Sequence, residues 1–72
     1  MDKNLELIQS EINNLNILSK MNNLDEIIKR SSILIKKYQE VYVFYNFLGY
    51  SLEKTNQIYE DETVFLKSLK IN

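Results

Sequence analysis

The 72-residue chain contains no cysteine, histidine, proline, alanine or tryptophan, and only one glycine. Without cysteine it can build neither a disulfide framework nor a cysteine-ligated zinc site. Without histidine it lacks the commonest general base and the commonest metal ligand. A single glycine excludes a glycine-rich phosphate-binding loop. The sequence therefore predicts a protein that is not an enzyme, with no catalytic residue, no metal site and no cofactor.

The chain also has little net charge, because nine basic and ten acidic residues leave a formal charge of −1. Such a balance predicts no long-range attraction to nucleic acid or to an anionic membrane. No apolar run approaches the roughly 18 residues that a membrane span requires. The N-terminal residues lack the basic and apolar regions of a signal peptide. We therefore expect a cytoplasmic protein that binds neither nucleic acid nor membrane.

Apolar residues recur with helical periodicity along most of the chain. The clearest stripe starts at Leu24 and predicts a helix as far as Lys37. Asn23 precedes this stripe as an N-cap, and Glu26 follows at the position that completes a near capping box. Three further stripes predict three more helices, at about residues 4–20, 41–54 and 58–70. Because short connections make consecutive helices antiparallel, we expect a single all-α domain over residues 1–72.

Each stripe identifies the residues that we expect to face the core. In the first and third helices these are Leu5, Ile8, Ile12, Leu15 and Leu18, then Tyr42, Tyr45, Leu48, Gly49 and Leu52. In the second and fourth helices they are Leu24, Ile27, Ile28, Ser31, Leu34 and Ile35, then Ile58, Phe65 and Leu69. Gly49 has no side chain, so it predicts the close approach of a neighbouring helix at that position.

The sequence resembles itself when it is aligned with a shifted copy in which residue 22 lies opposite residue 56. At this shift five pairs of residues are identical, namely Leu18/Leu52, Lys20/Lys54, Asn22/Asn56, Glu26/Glu60 and Lys36/Lys70. Residues 22–23 predict one tight turn, since asparagine tolerates the left-handed conformation, and residues 55–57 predict another. These turns and the apolar positions come into register at the same shift. This indicates two units, at about residues 8–41 and 42–72. A four-helix up-down bundle without any repeat is the alternative.

The second unit resembles the tetratricopeptide repeat, a helix–turn–helix whose length matches the shift found here. Tyr45 stands where that family has an aromatic residue, residues 48–49 match its Leu-Gly pair, and residues 68–72 match its closing Ala-Leu-x-Leu-Asp. The first unit departs from the pattern, because residues 14–15 read Asn-Leu where Leu-Gly is expected. Asp61 departs as well, since a small alanine normally packs at its position. The resemblance implies two stacked antiparallel helical hairpins, a four-helix α-solenoid.

In the resembled family the first helix of each repeat lines a concave groove that holds a partner. Carried over residue by residue, the resemblance places Gln9, Ile12, Asn16, Ser19 and Lys20 on this groove from the first unit, and Val43, Asn46, Tyr50, Glu53 and Lys54 from the second. The periodicity separately places Val43, Phe47 and Tyr50 on a second face of the third helix, opposite its core stripe. The implied function is a non-catalytic scaffold for protein–protein interaction that binds a peptide or a protein partner.

Two other interpretations of the chain stay open. In the first, it is a small helical bundle that self-associates as a homodimer through Val64, Leu66 and Ile71, so that a second copy completes a core too thin for one chain. In the second, it is a truncated repeat region of a larger enzyme that contains tetratricopeptide repeats, since such repeats usually need about three units for stability.

Overall fold

The computed structural model describes residues 3–58 and 62–70 of the chain. This part contains four α-helices and no strand. The helices are α1 Lys3–Lys20, α2 Leu24–Lys37, α3 Tyr42–Thr55 and α4 Glu62–Lys70. The all-α prediction is confirmed, and the first three helices have the predicted bounds to within one residue. None of the helices described is both long enough and apolar enough to cross a membrane.

Helix α1 ends in a turn that Asn22 makes possible. Asn22 has a φ of 57°, which is the left-handed region that asparagine tolerates better than most residues. Its N–H donates to the carbonyl of Ser19 at 3.0 Å, and the N–H of Asn23 donates to the carbonyl of Leu18 at 2.9 Å. These two bonds form a Schellman motif, which satisfies carbonyls that the end of a helix leaves without partners. The predicted turn at residues 22–23 is confirmed.

Helix α3 ends in the same motif. Asn56 has a φ of 56°. Its N–H donates to the carbonyl of Glu53 at 3.3 Å, and the N–H of Gln57 donates to the carbonyl of Leu52 at 3.0 Å. The side chain of Gln57 also donates to Oδ1 of Asp25 at 3.3 Å, which ties this turn to the first turn of α2.

The start of α2 differs from the prediction in one respect. Asn23 occupies the N-cap position, but its side chain makes no capping hydrogen bond. Its φ and ψ of −91° and 71° depart from the extended geometry in which a cap side chain reaches the first helical N–H groups. Asp25 and Glu26 still place two carboxylates in the first turn, where the helix dipole favours negative charge.

The core lies mainly between α2 and α3, which have the most extensive contacts of any pair of helices. Helix α4 packs on α3, while α1 packs on α2 and touches α3 more lightly. The buried apolar residues are Leu15, Ile27, Leu34, Ile35, Phe44, Tyr45, Leu48 and Leu52. Phe65 packs partly buried against this cluster, as its position in the pattern predicted. One core therefore joins all four helices.

Gly49 lies directly against the backbone of α4 at Ser68. A Cβ atom placed on Gly49 would lie 2.8 Å from the Ser68 carbonyl carbon and closer still to the carbonyl oxygen. Backbone atoms in a packed helix cannot move aside as the end of a flexible side chain can. The prediction that Gly49 allows a close helix approach is confirmed, and Ser68, itself fully buried, is its partner.

Three residues expected in the core lie outside it, namely Leu5, Tyr42 and Ile58. Leu5 is 63% exposed, near the start of α1. Tyr42 is 59% exposed, because packing against both α2 and α4 shifts the buried face of α3 toward Phe44 and leaves Tyr42 at its margin. Its ring lies 5.7 Å from the Lys67 ammonium instead.

Ile58, expected to begin the fourth helix, is 82% exposed and precedes α4. The residue before it is Gln57, which is not one of the preferred N-cap residues and whose backbone is engaged in closing α3. Helix α2, in contrast, starts directly after Asn23. The expected roles of Asp61, Ile71 and the Leu69 side chain lie outside the described residues.

Candidate functional site

One face of α3 is left uncovered by α2 and α4. Packing against α2 and α4 buries the side of the helix that contains Phe44, Leu48 and Leu52. The other side carries Val43 and Tyr50, which are exposed although both are large and apolar. The structure thus confirms the prediction that these two residues lie away from the core stripe.

This face of α3 meets the last turns of α1 in an open cavity of about 290 Å³. Its lining residues are Ser19, Val43, Asn46, Phe47 and Tyr50. Ligand sites for drug-sized molecules range from about 300 to 1,000 Å³. The cavity therefore lies just below that range, and its volume is enough for one or two large side chains.

The walls of the cavity are mostly apolar. Val43, Phe47 and Tyr50 supply one aliphatic and two aromatic surfaces, and Phe47 is anchored by its partial burial against the core. Apolar walls with a few placed polar groups are the usual composition of a binding site. Here the polar groups are the Ser19 hydroxyl, the Asn46 carboxamide and the Tyr50 phenol hydroxyl.

Asn46 has an unusual environment within this cavity. Its Oδ1 is shielded from solvent, and no donor among the described residues bonds to it. Leaving a buried acceptor without a partner costs about 1–3 kcal/mol. Most buried polar atoms in proteins do have partners, and within the described residues Oδ1 of Asn46 and Oγ of Ser51 are exceptions.

The structure brings together only some of the residues predicted for the groove. Ser19, Val43, Asn46 and Tyr50 line the cavity. Five others are exposed on α1 or α3 outside the lining, namely Gln9, Asn16, Lys20, Glu53 and Lys54, while Ile12 is half-buried against the core. The groove that the resemblance predicted therefore corresponds in the structure to a smaller cavity, and α3 forms the main wall of this cavity.

Two of these outlying residues have partners of their own. The Gln9 amide donates to Oδ1 of Asn13 at 3.0 Å along the surface of α1. The Lys54 ammonium lies 5.7 Å from the centre of the Tyr50 ring, within the range of a cation–π contact. Lys54 thus covers part of Tyr50 at the edge of the cavity.

Phe47 is the lining residue that the family resemblance omitted. Its position in the helical periodicity placed it on the same face as Val43 and Tyr50, so the periodicity of the sequence was enough to identify Phe47 as a member of this face. The contribution of Ser19 depends on how α1 crosses α3, which no local pattern specifies.

A second depression, of about 430 Å³, surrounds the connection between α2 and α3. Its lining is more polar and charged, with Asn4, Ile8, Lys36, Lys37, Tyr38, Gln39, Glu40 and Val41. The Lys37 ammonium already lies 5.4 Å from the Tyr38 ring. Because mostly apolar walls are typical of a binding site, the α1–α3 cavity is the better candidate within the described residues.

Comparison with known proteins adds no assignment to this geometry. The chain matches no protein-family model, no curated protein and no solved structure.

Proposed function

We propose that this chain is a non-catalytic interaction module that binds a peptide segment of a partner protein in the cavity between α1 and α3. The observation that carries the proposal is the exposed apolar surface of Val43 and Tyr50 beside the half-buried Phe47. Recognition of a peptide by apolar anchors in a helical groove is a recurring mode of binding.

The proposed arrangement is a short solenoid of two stacked hairpins similar to tetratricopeptide repeats. Two features support it. The same Schellman motif follows α1 and α3, at Asn22 and Asn56, which are equivalent positions of the two sequence units. The close contact of Gly49 with Ser68 joins two positions where the resembled family has small residues. In such an arrangement α1 and α3 lie side by side and supply the groove.

Selection from a library of short random peptides displayed on phage tests the proposal directly. The affinity of a selected peptide is then measured by fluorescence anisotropy. We expect Val43→Glu to weaken binding by at least about tenfold, because a carboxylate would be forced against the apolar part of the ligand.

Ile33→Glu is the matched control. Ile33 is also an exposed β-branched residue on a helix surface, 62% accessible, but it belongs to α2 and lies outside the cavity. We expect this variant to bind with unchanged affinity. A library that yields no binder, or a selected peptide that binds the Val43→Glu variant as tightly as the unsubstituted protein, would contradict the proposal.

Self-association is the second candidate, and one observation favours it. Leu66 is 47% exposed on α4, which suits an apolar contact with a second copy. Val64, expected to share that surface, instead packs partly buried against the core. The apolar surface available for a dimer is thus smaller than the sequence indicated.

A further inference from the structure

Lys54 continues the stripe of α3 that forms the main wall of the cavity. Val43, Phe47 and Tyr50 line the cavity at positions i, i+4 and i+7 of the helix, and Lys54 follows at i+11. Residues at these spacings share one face of an α-helix. The Lys54 ammonium accordingly lies 5.7 Å from the centre of the Tyr50 ring. The apolar wall of the cavity therefore ends in a positive charge.

This charge has no carboxylate partner in the part of the chain that the structure describes. The ion pair found there joins Arg30 to Glu26 on α2. None of the residues that line the cavity is acidic, and the residues three and four positions before and after Lys54 are uncharged. Glu53 is its neighbour in sequence, but consecutive residues of a helix do not face each other. A carboxylate from a ligand can therefore pair with Lys54 without competing with one from the protein.

Asn46 adds a hydrogen-bond donor to the same wall. Its Oδ1 is shielded from solvent, whereas its Nδ2 is not among the shielded atoms without a partner and bonds to no described residue. The NH₂ group is therefore the part of this carboxamide that a ligand can reach. It can only donate, so it matches a carbonyl or carboxylate oxygen.

These groups restrict the charge of the occupant. A lysine or arginine of a peptide would be repelled by the Lys54 ammonium at close range. A purely apolar peptide would fill the space beside Phe47 and Tyr50 but would leave Lys54 without a counter-charge. A peptide with an apolar side chain and a nearby carboxylate matches both the wall and the charge at its end.

We propose that the bound peptide inserts an apolar side chain between Val43, Phe47 and Tyr50 and places an aspartate or glutamate carboxylate beside Lys54, so that Lys54 selects acidic peptides. This inference rests on the peptide-binding function proposed above and adds the charge of the ligand. The long side chain of lysine suits this role. Its apolar stem can stay on the Tyr50 ring while the ammonium turns to the carboxylate.

Two small probes test the inference without knowledge of the partner. Phenylpropionate and phenylpropionamide have the same carbon skeleton and both offer a carbonyl acceptor, but only the first carries a charge. Titration of each into the ¹⁵N-labelled protein, followed by NMR, gives an affinity and the resonances that move. We expect phenylpropionate to bind about two- to fivefold more tightly, as one exposed ion pair predicts. This preference should shrink at high salt, which screens exposed charges.

Variants at Lys54 separate its charge from the shape of the cavity. Lys54→Gln should bind both probes equally, because it removes the charge and keeps most of the stem. Lys54→Glu should prefer the uncharged amide, because like charges repel. Lys29→Gln makes the same change of net charge at an exposed position on α2 outside the lining, so it is the matched control and should keep the preference for phenylpropionate. Backbone amide spectra of each variant establish that the fold is kept.

The outcomes distinguish this inference from the function on which it rests. Equal affinity of the unsubstituted protein for the two probes overturns the role of Lys54, and so does a preference that survives in Lys54→Gln or disappears equally in Lys29→Gln. Selected peptides that bind at Val43 but contain no aspartate or glutamate also overturn it, while the peptide-binding function stands. A protein that binds neither probe and selects no peptide loses both.

Discussion

Asn22 and Asn56 occupy equivalent positions of the two sequence units and hold the same left-handed backbone conformation, with φ values of 57° and 56°. Each is followed by a residue whose N–H reaches back to the carbonyl five positions earlier. Two helices of this chain thus end in one motif at the period detected in the sequence. The repeat in the sequence is accordingly a repeat of local structure at these turns.

The left-handed conformation predicts how each asparagine responds to substitution. We expect Asn22→Ala and Asn56→Ala each to lower the free energy of unfolding by about 1 kcal/mol. The left-handed conformation costs a residue with a Cβ roughly 1–2 kcal/mol, and alanine, unlike asparagine, cannot offset that cost by local hydrogen bonding. Asn22→Gly should remain close to the unsubstituted protein, because glycine adopts positive φ freely. Urea unfolding followed by circular dichroism measures both.

Asn16→Ala is the control for these turn variants, because Asn16 is exposed within α1. Alanine is the better helix former, so this variant should be at least as stable as the unsubstituted protein. If Asn22→Ala proved as stable as Asn22→Gly, the left-handed turn would have no energetic role.

The contact between Gly49 and Ser68 predicts intolerance of even one methyl group. A Cβ on Gly49 would collide with backbone of α4, and overpacking of this kind costs about 1–3 kcal/mol. Alanine recovers up to about 1 kcal/mol through helix propensity, which leaves Gly49→Ala with a net loss of up to about 2 kcal/mol. In a domain of this size each kcal/mol lowers the melting temperature by about 4–8 °C.

Glu53→Ala is the matched helix variant, since Glu53 is exposed on the same helix. It should melt at or slightly above the temperature of the unsubstituted protein. A Gly49→Ala protein that melts as high as Glu53→Ala would show that α3 and α4 do not approach as closely at Ser68 in solution.

Phe44 should be the most sensitive position in the core. It is completely buried, and its ring centre lies 5.9 Å from that of Tyr38. Truncation of a buried phenylalanine to alanine costs about 3–5 kcal/mol, which is comparable to what a core of this size provides. We therefore expect Phe44→Ala to lose most of its helical circular dichroism at 25 °C. Tyr42→Ala, at an exposed position two residues earlier, should keep this signal. If the two variants lost or kept their helical circular dichroism equally, the assignment of the buried face of α3 would be wrong.

The sequence predicted local features well because their causes are local. Helical spacing identified four helices, Asn22 identified a turn, and Gly49 identified a close contact through its lack of a side chain. The error at Tyr42 has a tertiary cause. Tyr42 was placed in the core because its spacing matched Tyr45, yet the buried face of α3 is set by two neighbouring helices at once.

The candidate site could be predicted only in part for the same reason. Helical periodicity put Val43, Phe47 and Tyr50 on one face, and that face lines the cavity. The convergence of Ser19 with this face depends on the packing of α1, and the unpaired Oδ1 of Asn46 depends on what surrounds it. Neither property is encoded in the spacing of residues along a single helix.

The mass of the protein in solution separates the two candidate functions. Peptide binding in the α1–α3 cavity requires only one chain, so light scattering should give the monomer mass of 8.6 kDa at the concentrations used for binding. Twice that mass, reduced to the monomer value by Leu66→Glu, would support self-association through α4 instead.

NMR mapping of a selected peptide on the ¹⁵N-labelled protein tests the proposed function most directly. We predict that the largest amide shifts fall on Ser19, Val43, Asn46, Phe47 and Tyr50, and that Val43→Glu abolishes them. Shifts concentrated on the exposed apolar residues Leu7, Ile17 and Ile33, which lie outside the cavity, would contradict the proposal and move the binding surface to α1 and α2.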